Sequence, residues 1–137
     1  MSLFNVFDVA GSALNAQSVR LNVTASNLAN AGTVSGTAEG AYRARHPVFS
    51  TLINDSLDGR EATGVQVLDI LESKAPPVEQ YEPDNPLAND KGYVYLPNVN
   101  GIEELANMIS ASRTYQSNVE VMNTSKQMLL RTINIGQ

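Results

Sequence analysis

Side-chain chemistry needs a nucleophile, a proton carrier or a set of metal ligands, and this chain of 137 residues is poor in all three. His46 is the single histidine and stands beside Pro47, so no multi-histidine metal site can form within one copy. A catalytic imidazole would need an acid or nucleophile close by, and the local sequence supplies none. Cysteine is absent, which removes thiolate ligands, thiolate nucleophiles and disulfides. Asp69 with Glu72, and Glu79 with Glu82, have the residue types of a glycosidase acid pair, but they fall in the most acidic part of the chain and read as solvated surface charges. Asp84, Asn85, Asn89 and Asp90 are rich in oxygen yet lack the spacing and central glycine of a calcium loop. No glycine-rich phosphate loop follows a strand. Met108, Tyr115 and Met122 lie at the spacing of a packed helix face, not of a cofactor box. The sequence therefore assigns no catalytic, cofactor-binding or metal-ligating residue, and the expected function is not enzymatic.

The elements that would otherwise position a site carry the stronger signal. Phe7, Leu14, Leu21 and Leu28 recur every seven residues, and Phe4, Gly11, Ser18 and Ala25 recur with the same step. This is the a/d pattern of a helical seam. Gly11 inside a helix costs about 1 kcal/mol against alanine, and its expected use is to let another helix come close. Between residues 1 and 38 the only charges are Asp8 and Arg20. A helix standing in water ordinarily carries Lys and Glu on its outer face. Here that face is Asn, Ser, Thr and Gln, including Asn27 and Asn30, which can hydrogen-bond across a protein interface but are costly in hydrocarbon. The expected cover is other protein molecules; the plainer alternative is a helical hairpin with a merely polar surface.

A second seam follows at the other end. Leu105, Met108, Ser112, Tyr115, Val119, Met122, Lys126, Leu129 and Ile133 alternate steps of three and four. Asn100 with Glu103 resembles a capping box, and Glu104 adds favourable charge to the same helix end. Ser2 is the expected cap of a first helix over about residues 3 to 30, with Asn30, Ala31 and Gly32 as its stop, Gly32 supplying the left-handed conformation. Arg131 and Gly136 are the matching end signals of the last helix.

Between the seams, residues 32 to 40 read as a flexible Gly/Ser/Thr-rich connector. Residues 41 to 53 read as a strand edged at Pro47, residues 54 to 64 as a turn, and 65 to 72 as a second strand with apolar residues on both faces. Residues 75 to 100 hold five of the six prolines, which rules out a long helix; Val78 to Tyr81 and Tyr93 to Leu96 are expected as short extended pieces. The expected fold is mainly α with a small β insertion. Long terminal helices (1–33 and 101–137) pack as an antiparallel coiled-coil-like pair, with a β-hairpin and irregular segment (34–100) between them.

Composition agrees. Aromatic residues make up 6% and Trp is absent, so the core is small and a lone copy gains stability from partners. Of the net charge of −5, −4 sits in the middle, where residues 41–100 hold nine acids against five bases. Without a basic cluster, nucleic acid is excluded as a partner. No apolar run of about 20 residues is present for a membrane span, and the N-terminus lacks the pattern of a cleaved leader.

Several stretches carry a family resemblance. QSVRLNVTASNLANAGT (17–33), GTAEGAYRARHPVF (36–49), YEPDNPLANDKGYVYLPNVN (81–100) and MISASRTYQSNVEVMNTSKQMLLRTINIGQ (108–137) together resemble the rod and hook family of bacterial flagellar axial proteins, and within it the proximal rod. The resemblance implies a structural subunit exported by the flagellar type III apparatus without a cleaved leader. It implies assembly into a rod that crosses the periplasm and transmits motor torque. The implied partners are copies of itself, the proximal-rod FlgB and FlgF, the distal-rod FlgG and the basal-body FliE. The subunit interface is then expected along the two seams: Phe4, Phe7, Gly11, Leu14, Leu21, Asn27, Leu28, Asn30, Leu105, Met108, Tyr115, Val119, Met122, Leu129 and Ile133. The competing expectation is a helical-hairpin adaptor that receives a partner helix.

Overall fold

The computed structural model describes the backbone of residues 3–56 and 59–135, and the side chains of residues 5–53 and 64–134. Helix α1 runs Leu3–Asn30 and helix α2 runs Gly101–Ile135. At about 1.5 Å per residue they are roughly 42 and 52 Å long. They pack on each other and run antiparallel. Leu28 lies against Gly101, the Arg20 guanidinium donates to Asn107 Oδ1 at 3.0 Å, and Gly11 stands beside Met122. Ser2 and Gly136, expected as end signals, lie outside the described residues.

Asn100 caps α2: its Oδ1 accepts from the amides of Ile102 at 3.1 Å and Glu103 at 3.4 Å. At the end of α1 the stop differs from expectation. Gly32 does not adopt positive φ; instead Thr33 folds back, its amide and Oγ1 both donating to Asn30 O at 3.1 and 2.8 Å. A threonine hydroxyl satisfies the open carbonyl, so no left-handed residue is needed.

Strands β1 (Arg45–Ser56) and β2 (Gly59–Glu72) form an antiparallel hairpin with irregularities at Val48/Phe49 and Leu52/Ile53. Much of the turn expected over 54–64 is thus paired backbone. Its polar run lacks the alternation that marks a strand, so the local pattern carried no signal for the pairing. Pro47 pairs with Ile70 and is tolerated because β1 is an edge strand. Strands β3 (Val78–Tyr81) and β4 (Tyr93–Leu96) pair antiparallel where expected. An edge-to-face contact of Tyr81 with Tyr93 at 5.2 Å reinforces them.

The connector is pinned rather than loose. Ser35 and Tyr95 exchange both backbone hydrogen bonds, at 2.9 and 2.8 Å, adding a one-residue third strand beside β4. The described core is small, as composition requires: Ala10, Ala16, Val23, Ala41, Ala44, Val94 and Ala111. Alanine at five of these seven positions means that close approach, not bulk, holds the elements together. Leucine at Ala111, which is fully buried, is expected to cost about 2 kcal/mol by overpacking. A urea titration that showed no loss would place α1 farther from α2 than this.

The hairpin rests on α1 through Ser12 and Gly64. Ser12 Oγ accepts from the Val65 amide at 3.1 Å and donates to Val9 O at 2.8 Å. A Cβ on Gly64 would stand 2.5 Å from that oxygen, so only glycine lets the strand come this close. Gly64→Ala is expected to destabilise by about 2 kcal/mol, and by less in a Ser12→Ala background, where the obstructing oxygen is gone. Equal losses in both backgrounds, measured by denaturation, would show that the contact is not the cause.

Candidate assembly surface

Which faces remain open follows from how the seams are used. On α2, Met108, Met122 and Leu129 are half-buried, whereas Tyr115, of the same row, is exposed. The row that accompanies them is displaced by one residue. Glu104, Ala111 and Ser125 are buried and Asn118 is half-buried, where the spacing had put Leu105, Ser112, Val119 and Lys126. On α1 the displacement repeats. Phe7, Leu14, Leu21 and Leu28 are half-buried with buried Ala10 and Thr24, while Ala25 is exposed. On α2 the residues turned inward, Ala111 and Ser125 among them, are smaller than Ser112 and Lys126 beside them, as two helices at close range require, whereas on α1 Ala10 and Thr24 are larger than Gly11 and Ala25.

Gly11 therefore does not set the helix approach within one copy. Its nearest neighbour is the Met122 methyl, 4.0 Å from where a Cβ would be. The rotation leaves large apolar side chains outside. Leu105 is 49% exposed, Val119 36% and Ile133 60%, together with Ile109 and Leu130. Their successive steps of 4, 10, 11 and 3 residues keep them on one side of α2, interrupted by the exposed Gln116, Asn123 and Lys126. On the hairpin, Ile53, Leu68, Ile70 and Leu71 are also exposed.

Asn27, expected at a subunit interface, is corrected by its surroundings: it is 1% exposed and bonded inside the chain. Its amide pairs with the backbone of Arg45 as a strand would. Nδ2 donates to Arg45 O at 2.8 Å, Oδ1 accepts from the Arg45 amide at 2.9 Å, and Tyr42 Oη donates to the same oxygen at 2.8 Å. Ser26 Oγ lies 3.3 Å from that hydroxyl. Sequence reasoning had no signal for this, because the partners lie 15 and 18 residues away. Asn30 Nδ2 donates to Ser26 O, one turn back on its own helix. The side chain of Phe4 lies outside the described residues.

Arg45 also meets Glu72 across the base of the hairpin at 3.0 Å. Both side chains are about half exposed, so the pair orients more than it stabilises, contributing about 0.5 kcal/mol at most. Among the described residues no group of acids or histidine could hold a metal ion, and no helix is long and apolar enough to cross a membrane.

The two ends that build this surface are also the segments that find known counterparts. Residues 7–35 match the family of the flagella basal body rod protein, and residues 90–135 match the flagellar basal body rod FlgEFG protein C-terminal family. A helix pair with such ends defines a rod protein of the flagellar basal body. Over the whole of both chains the sequence is 54% identical to the flagellar basal-body rod protein FlgC of Escherichia coli O6:H1 and 53% identical to that of Salmonella typhimurium. It is 38% identical to FlgC of Borreliella burgdorferi, covering all of this chain and 99% of the other. The chain belongs to the FlgC family of flagellar basal-body rod proteins. It is a structural rod subunit that polymerises with other rod proteins.

Proposed function

We propose that this subunit occupies the proximal part of the rod, where it carries motor torque across the periplasm. The single observation behind this reading is the apolar row left uncovered on α2, in a chain whose core is mostly alanine. A subunit that buries so little by itself gains its rigidity from neighbours. The helix pair, residues 1–33 and 101–137, forms the inner tube, and the acidic residues 34–100 lie outward. The interface uses Leu105, Val119 and Ile133 directly. Phe7, Gly11, Leu14, Leu21, Leu28, Met108, Tyr115, Met122 and Leu129 lie along the margins of the helix pair.

Neighbours of this reading are copies of the chain, FlgB and FlgF alongside, FlgG distally and FliE at the base. Delivery is by the flagellar type III export apparatus. The weakly charged helices suit both passage and packing, since few ionic groups must be desolvated. Labelling the chain in purified basal bodies and imaging them is the test. Label in the rod below the FlgG section is expected. Intact rods without label, or label confined to the rings, would overturn the placement.

A further inference from the structure

Two outward rows, one on each helix, each carry a single charge. On α2 the apolar row of Leu105, Ile109, Val119, Leu130 and Ile133 includes one ionic residue, Lys126. On α1 the exposed positions Asp8, Asn15, Asn22 and Ala29 repeat every seven residues, and their one ionic residue is Asp8. Both charges are exposed, and neither joins an ion pair among the described residues. Their heights along the helix pair can be compared through Gly11, which stands beside Met122. Asp8 is three residues before Gly11 and Lys126 four residues after Met122. Because the helices are antiparallel, these offsets point the same way, about 4.5 and 6 Å along the axis. Counted from Leu28 beside Gly101 and from the Arg20–Asn107 bond, the same comparison places Lys126 about 7 and 10 Å beyond Asp8, so the two opposite charges sit within about two helical turns of one level.

We propose that neighbouring copies of this chain dock laterally, the α2 row of one against the α1 row of the next, with Lys126 of one copy facing Asp8 of the other. The contact is heterologous, using two different surfaces, which is what a polymer that does not close at two copies requires. The α1 row offers short side chains, into which the larger α2 side chains fit. In a polar rod every copy points the same way, so α2 of one copy meets α1 of the next antiparallel, as within a chain. The two charges then pair under rotation about the rod axis with an axial shift of about 10 Å or less. An isolated Lys on an apolar row is otherwise an unfavourable choice, and an opposite charge supplied by the neighbour removes the cost and fixes the register.

This inference rests on the rod-subunit reading, and its test separates the two. The chain has no cysteine, so single cysteines report cleanly. Asp8→Cys and Lys126→Cys variants are produced together in cells lacking the native protein, and isolated basal bodies are treated with a short bis-maleimide. A crosslinked species of twice the subunit mass is expected when both variants are present, and at least tenfold less when either is alone. Both variants found in basal bodies without that species, or a crosslink only to a different protein, would overturn the docking while leaving the rod reading intact. Charge reversal gives a second measure. Asp8→Lys and Lys126→Asp are each expected to lower incorporation roughly tenfold, and the double reversal to restore most of it. Restoration is something a merely structural defect would not show. A double variant no better than the worse single one would count against the pairing.

Discussion

Cells whose only copy of this protein carries Val119→Asp are expected to be non-motile, while the purified chain keeps its fold. Val119 is 36% exposed on α2, outside the row that meets α1. A carboxylate there stays solvated in the free subunit, so its stability changes by about 0.5 kcal/mol or less. In the rod the same carboxylate would be buried against an apolar or amide surface without a partner, at a cost of several kcal/mol per contact. That penalty recurs at every neighbour. Circular dichroism of the free chain and subunit content of basal bodies report the two effects separately. Leu21→Asp is expected to fail differently. Leu21 is half-buried toward α2, so its carboxylate weakens the free chain as well, by about 3 kcal/mol. Normal swimming from Val119→Asp would mean that the outward row of α2 faces water in the assembled rod.

The second large effect is expected at Asn27. Asn27→Ala removes three hydrogen bonds and leaves the Arg45 amide and carbonyl unpaired at a buried junction. At about 1–3 kcal/mol for each abandoned group, a loss of about 3 kcal/mol is expected. Asn27→Asp is the informative comparison. It keeps the two accepted bonds but sets a carboxylate oxygen against Arg45 O, where the amide now donates at 2.8 Å. It is expected to be no better than alanine. Native-state hydrogen exchange should show the Arg45 amide losing protection ahead of the helix amides. Uniform loss everywhere would mean that Asn27 supports the whole fold and not this junction alone.

These two residues also show what the sequence disclosed. Helix limits, the Asn100 cap and the short strands β3 and β4 were legible because their signals are local: heptad spacing, an amide before a helix, paired tyrosines between prolines. The seam was half legible. Phe7, Leu14, Leu21 and Leu28 mark one row, but adjacent residues offered two candidates for the second. Hydrophobicity favoured Leu105 and Val119, whereas close packing selected Glu104, Ala111 and Ser125. A soluble monomer would rarely leave the more apolar choice outside, so the miss itself points to a partner. The Asn27 junction and the Ser35 bridge were invisible, since each joins residues far apart in sequence through backbone groups that every residue carries. Gly32 was misread for a related reason: the helix end was closed by Thr33, whose hydroxyl did the work assigned to glycine.

The bridge between Ser35 and Tyr95 has a mechanical consequence. It fastens the stretch leaving the first helix to the strand returning to the second, so the fifty-nine residues between them form a loop sewn shut at its root and stitched to α1 at Asn27 and Ser12. Tension along the shaft can then run from helix to helix without unzipping what hangs outside.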